Sequence, residues 1–209
     1  MNNEKIMMNK VVLATGNTGK LKEISEILKP LGWQVKKQSD YFSSEAEETG
    51  KTFIENAILK ARYAAQQTGL PAIADDSGIE VSYLHGKPGI YSSRYSQDLH
   101  GDQTSDETNL QKLLAELDGV PSGQRQGSYY CAMVYVEHAD DPTPIIGLGR
   151  WYGEILTEKR GEGGFGYDPV FWIEELGKTS AELAKEQKNQ ISHRAQALNA
   201  LVMQLRRGA

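Results

Sequence analysis

The segment AIADDSG places two adjacent aspartates, Asp75 and Asp76, directly after an apolar run. If that run is a strand, side-chain alternation sends the carboxylates to opposite faces, so one can serve a site while the other orients a cation. They stand at the carboxyl end of AIADD, where open α/β sheets collect ligand groups. A plain Asx turn is the bland alternative. Upstream, SSEAEETGKT carries Glu45, Glu47 and Glu48 ahead of a helical pattern. Such residues are often solvated helix-start charges, but with Asp76 they would supply hard oxygen ligands of the kind magnesium takes.

Two lysines accompany these carboxylates. VVLATGNTGK brings Gly16, Gly19 and Lys20 to a turn between an apolar run and a helical pattern. Unpaired N–H groups and the positive helix end at such a turn favour an anion, although a tight turn with an exposed lysine reads equally well. It is not a Walker loop: two residues separate Gly16 from the Gly19-Lys20 pair, and Leu21 stands where a magnesium-binding hydroxyl belongs. Lys60 falls on the helical stripe of Ala57 and Ala64, four residues beyond Asn56. A lysine there needs a partner such as Asp75 or a phosphate, or else it reaches out to solvent.

Two later segments add a base-sized surface and a second cationic group. GEGGFGYDP sets four glycines around Phe165, Tyr167 and Asp168, which permits close backbone approach to a flat ligand and offers an aromatic face. KNQISHRAQAL sets Lys188, His193 and Arg194 around a helix start. A glycine-rich hairpin and ordinary surface charges would account for each alone. Taken together, the anion-binding turns, acidic groups, striped lysine and aromatic loop describe a site for a magnesium nucleoside triphosphate.

Alternating elements must position these groups. VVLAT reads as a buried strand, and LKEISEIL as a helix with Leu21, Ile24, Ile27 and Leu28 on one face. Thr52 and Glu55, in capping-box spacing, open a helix that closes at Gly69. AIADD, SYYCAMVYVEH, the run from Pro144 to Leu156 and FGYDPVFWI read as strands, the middle two joined by ADDPT as a hairpin. Thr179 and Glu182 open a further helix, and Ala195, Leu198, Leu201, Val202 and Leu205 mark the last. SQDLHGDQTSDET, residues 96–108, lacks periodicity and reads as a mobile loop. The class is α/β with a mixed sheet flanked by helices.

Composition bounds the alternatives. The chain has 209 residues, 39% of them apolar and 24% charged, which suits one compact domain over residues 10–209 behind a flexible leader, residues 1–9, with Met7 or Met8 as alternative starts. A net charge of -5 argues against direct nucleic-acid binding. No stretch approaches the about 18 apolar residues of a membrane span, and the N-terminus lacks signal-peptide features. The single Cys131 sits in an apolar run, so no disulfide forms within the chain and a reducing, cytoplasmic setting is expected.

VVLATGNTGKLKEI, the EETG and TFIENAILKA block, PAIADDSGIEV, PGIYSSRY, GGFGYDPVF and ISHRAQAL, in this order, resemble the inosine/xanthosine triphosphate pyrophosphatase family. The likeness runs from Lys10 to Leu205, and departs from the family in the leader and in a longer loop near Asp98 to Thr104. The resemblance implies a two-lobed α/β fold around an elongated mixed sheet, a cytoplasmic homodimer, and magnesium-dependent hydrolysis of ITP, dITP and XTP to monophosphate and pyrophosphate. Such hydrolysis keeps these nucleotides out of DNA and RNA. It further implies that Thr15, Gly16, Asn17, Thr18, Gly19 and Lys20 hold the triphosphate, with Lys60 and Asp75 in support. Asp76 would be the catalytic proton acceptor and a metal ligand, with Glu47 and Glu48 sharing the metal. Nucleotide contacts would come from Ser77, Phe165, Gly166, Tyr167, Asp168, Lys188, His193 and Arg194. A regulator that binds nucleotides without cleaving them, or a phosphotransferase, is the contrasting class. The carboxylate set disfavours the first, and the absent Walker spacing the second.

Overall fold

A seven-stranded sheet organises the protein, its strands lying in the order 34–37, 10–14, 72–81, 126–136, 145–155, 171–173 and 178–179. The structure, a computed structural model, describes residues 10–15, 18–29 and 32–207. The expected leader, and Gly16 and Asn17 of the first turn, lie outside the described residues.

The chain begins with β1 (Lys10–Ala14), α1 (Thr18–Leu28) and β2 (Gln34–Lys37), and β1 pairs in parallel with β2. Helix α1 starts at Thr18, earlier than the apolar face at Leu21 suggests, so Lys20 lies in its first turn. Helix α2 (Phe53–Thr68) is bounded as expected. The Thr52 hydroxyl accepts from the Glu55 N–H at 3.2 Å, and Gly69 closes the helix in the left-handed conformation at φ 65°. Ala57, Ala61 and Ala64 are fully buried on its inner face, and these small side chains let α2 pack closely against β1.

Strand β3 (Ala72–Val81) corrects the sequence reading. AIADD does not end at Asp76: the strand continues for ten residues, so the two aspartates lie in mid-strand. They stand nonetheless just past the end of β1, because the parallel pairing of β1 with β3 runs only from Val12 and Ala72 to Ala14 and Ala74. The site therefore still sits where a parallel pair opens at its carboxyl end.

Residues 96–108 are not a featureless loop. They contain α3 (Gln97–His100), a 3-10 turn and the start of α4 (Asp106–Glu116), whose first turn is closed by a reciprocal capping box between Ser105 and Thr108. Leu110, Leu113 and Leu117 bury the inner face of α4. The polar composition that reads as mobile is a run of caps, satisfied locally by their own backbone.

The remaining strands are β4 (Gln126–Val136), β5 (Ile145–Ile155), β6 (Phe171–Ile173) and β7 (Lys178–Thr179), the last two antiparallel to their predecessors. FGYDPVFWI contributes only the three residues of β6, since Asp168–Val170 form a 3-10 turn. Thr179 and Glu182 form the expected capping box, but on a 3-10 turn (Ser180–Glu182) rather than a helix. Helices α5 (Lys185–Ile191) and α6 (His193–Arg207) end the described chain.

Two compact units divide the chain. One comprises Met1–Asp76, Ala132–Gly147 and Leu198–Ala209, and buries Val11, Val12, Leu13, Ile24, Leu28, Ile73, Met133 and Leu198. The other comprises Ser77–Cys131 and Leu148–Ala197. Its core joins Ile79, Leu110, Leu113, Leu117, Tyr129, Trp151, Ile155, Tyr167 and Phe171. Cys131 is fully buried, as its apolar surroundings suggest. No helix among the described residues is long and apolar enough to cross a membrane.

Candidate functional site

In the first unit, alternation along β3 hands each aspartate to a different helix. Asp75 Oδ2 lies 2.7 Å from Lys20 Nζ on α1, and Asp76 Oδ1 lies 2.9 Å from Lys60 Nζ on α2. The lysine expected to need a partner has two, because Glu48 Oε1 approaches the same Nζ at 3.0 Å. Lys60 thus meets Asp76 and Glu48 directly, while Asp75 is taken by Lys20. Glu47, one residue away, is exposed. Among the described residues no group of three or more His, Cys, Asp or Glu side chains gathers around one point, so the paired carboxylates are those of Asp76 and Glu48.

Asn56 completes this cluster and is missed by the sequence reading. It is fully buried, its Nδ2 approaches Asp76 Oδ2 at 3.3 Å, and its Oδ1 accepts the Gly50 N–H at 2.9 Å. Its spacing, one turn before Lys60 on the same helix face, is the signal that points to it. The Gly50 bond also ties the approach to α2 to the cluster, since a Cβ at Gly50 would fall 2.6 Å from Asn56 Oδ1.

Charge in this cluster is held under tension. Burial pushes the Asp76 carboxyl above its ordinary value and Glu48 adds to that rise, while Lys60 and Asn56 pull against it. Burial acts to lower the Lys60 ammonium, but Asp76, Asp75 and Glu48 together outweigh it and hold that pKa above the usual lysine value. The result is a cation kept charged between carboxylates, next to a carboxyl that more readily accepts a proton.

The second unit assembles the later segments around Asp168. This carboxylate is buried, and both its oxygens are engaged. Oδ1 accepts from Ser180 Oγ at 2.9 Å and is approached by the Tyr129 hydroxyl at 3.3 Å. Oδ2 accepts from the Phe165 N–H at 2.9 Å and from Lys188 Nζ. Gly164, at φ 77°, has to be glycine twice over, since a Cβ there would lie 2.0 Å from Asp168 Oδ2. Asp168 therefore holds the loop rather than presenting a free edge.

The glycine-rich loop divides its two aromatics. Phe165 is 47% exposed with Lys188 Nζ 5.2 Å from its ring centroid, which leaves a face for stacking. Tyr167 is buried in the core and donates its hydroxyl to the Ser92 carbonyl at 2.7 Å. The Gly166 N–H is bonded to Asp106 Oδ2 at 2.9 Å. Lys188 lies on α5, and His193 and Arg194 are the first two residues of α6. The Ser192 hydroxyl before them accepts the Ala195 N–H at 3.3 Å. Arg194 Nη2 reaches Ser77 Oγ across 3.5 Å. The sequence reading thus names these residues but not the strut Ser180, 12 residues from Asp168, nor Tyr129, which approaches it from 39 residues away.

Known proteins resemble this chain over almost all its length. Residues 11–204 match the model of the Ham1 family. A dITP/XTP pyrophosphatase of Vibrio parahaemolyticus is 54% identical over 198 residues, 95% of this chain and 97% of that protein. A dITP/XTP pyrophosphatase of Shigella flexneri is 56% identical over 201 residues, 96% of this chain and 100% of that protein. The solved structure of a HAM1 protein from Coxiella burnetii has a TM-score of 0.88 at 44% identity, and the match covers 96% of this chain and 100% of that one.

Proposed function

The chain belongs to the Ham1 family, and from that premise we propose that it hydrolyses dITP, ITP and XTP to the monophosphate and pyrophosphate, clearing deaminated purines from the nucleotide pool. The observation that carries this reading is the paired arrangement of Lys20 with Asp75 and of Lys60 with Asp76 and Glu48. Two ammonium groups at the end of a parallel strand pair suit a triphosphate, and a carboxyl raised by burial suits proton uptake from water.

The donors also fit magnesium. Asp76 and Glu48 offer hard oxygens that already converge on one cation, and magnesium commonly takes one or two carboxylates with the rest of its shell from phosphate and water. When bound, the ion supplies positive charge where the leaving pyrophosphate becomes more negative. Glu47, exposed beside this pair, is the weaker candidate. Lys20, Lys60 and the backbone from Thr15 to Gly19 neutralise and orient the phosphates. Asp75 steadies Lys20, Asn56 steadies Asp76, and Asp76 orients a water toward the α-phosphorus and accepts its proton.

Base reading falls to the second cluster. Phe165 supplies the stacking face, and Lys188, His193, Arg194 and Ser77 supply polar contacts, while Gly166, Tyr167 and Asp168 fix the loop. Hypoxanthine and xanthine carry an acceptor at the 6 position where adenine carries a donor, so a donor from His193 or Arg194 favours the first two. The protein acts in the cytoplasm as a homodimer, without nucleic acid or membrane as partner. Incubation with ITP, XTP, ATP and magnesium, with the products identified, tests the reading. Pyrophosphate and monophosphate from ITP and XTP support it; inorganic phosphate and diphosphate, or binding without turnover, reject it.

A further inference from the structure

The start of α6 rests on an aromatic stack in which only His193 is given a nucleotide contact above. Trp151 of β5 meets Phe171 of β6 with ring centroids 5.4 Å apart, and Phe171 meets Tyr129 of β4 at 4.6 Å. Both contacts are tilted, as core packing usually is. Tyr129 instead lies flat on the His193 imidazole, 4.7 Å away and 9° from parallel. The backbone beneath is equally close: a Cβ at Gly149 would fall 2.0 Å from the His193 carbonyl oxygen and 2.7 Å from the Ala197 nitrogen.

This arrangement restricts one degree of freedom in particular. An imidazole seated flat on a buried ring can slide or flip over, but it cannot tilt without entering that ring. Its nitrogens are therefore confined to one plane, and hydrogen-bond strength falls steeply with misalignment. We propose that Tyr129 is a positioning residue for base recognition, whose ring, backed by Phe171, holds the His193 imidazole in the plane in which it meets the purine edge. The inference rests on the reading above in which His193 contacts the base. It assigns the effect to the ring of Tyr129 and not to its hydroxyl, whose 3.3 Å approach to Asp168 is long for a hydrogen bond.

Steady-state kinetics with magnesium, ITP and ATP on the wild type, Tyr129→Phe and Tyr129→Leu separate ring from hydroxyl. Tyr129→Phe keeps the ring and should preserve the ITP over ATP preference to within about twofold. Tyr129→Leu should raise KM for ITP about tenfold with kcat little changed, and narrow the preference about tenfold, the scale of one misaligned buried hydrogen bond. A leucine variant with the wild-type preference overturns the proposal. So does a phenylalanine variant as impaired as the leucine one, or an equal loss of kcat on both nucleotides accompanied by a lower Tm. Should the leucine variant not fold, proton NMR of the wild type and Tyr129→Phe decides: His193 ring protons should be shifted upfield in both, and an unshifted resonance rejects the stack. A wild type that does not cleave ITP would instead remove the functional reading, and the NMR measurement would still stand.

Discussion

Lys60 Nζ stands 2.9 Å from Asp76 Oδ1, joining a lysine of α2 to the carboxyl that burial makes the readier proton acceptor. Replacing Asp76 by asparagine keeps the shape and removes both base and anionic ligand. Turnover of ITP should fall by about two to four orders of magnitude, the usual contribution of a positioned acid or base, while nucleotide binding persists. Wild-type turnover in this variant would exclude Asp76 as the acceptor.

Glu48 and Glu47 should separate cleanly. Glu48→Gln removes a carboxylate oxygen that faces the same point as Asp76, so the magnesium concentration for half-maximal rate should rise about tenfold or more, the scale on which ligand-shell changes act. Glu47→Gln should leave it unchanged, because Glu47 is exposed. Magnesium titrations at saturating ITP measure both, and the reverse pattern would move the ligand to Glu47.

Removing Lys20 tests what the first cluster binds. Lys20→Ala takes away a charged contact worth about 1.5–3 kcal/mol, so ITP affinity should drop roughly 10- to 100-fold. Inosine carries no phosphates and should bind as before. Calorimetry with both ligands provides the comparison. Equal losses for the two would instead indicate that α1 has lost its seat, since the same variant strips Asp75 of its 2.7 Å partner.

Arg194 and Phe165 should differ in kind. If helix-start donors read the 6-keto oxygen, Arg194→Ala should narrow the ITP over ATP ratio in kcat/KM by about one to two orders of magnitude. Phe165→Ala should slow ITP, XTP, GTP and ATP alike, because stacking on an exposed ring does not read the base edge. A wild type that cleaves ATP as fast as ITP would make the protein a general triphosphatase.

Local pattern was enough for whatever depends on neighbours in the chain. The limits of α2 at Thr52 and Gly69, the opposite pointing of Asp75 and Asp76 and the buried state of Cys131 all follow from capping, alternation and apolar content within a few residues. The same short range explains the misreadings. Polar caps at Ser105 and Thr108 look like loop until the leucines after them find a core, and DDSG looks like a turn until β3 continues past the end of β1.

What tertiary structure alone decided is the pairing. The sequence sets a lysine on the inner stripe of α2 and two acids at the end of AIADD, and offers Asp75 as that lysine's partner. The fold gives Lys60 to Asp76 and Glu48, over 16 and 12 residues, and Lys20 to Asp75 over 55. It likewise turns Asp168 inward onto Ser180 and Lys188 and lays His193 on Tyr129. Propensity and periodicity act through the nearest few residues, whereas the partner of a charge or a ring is set by which elements the sheet order brings side by side.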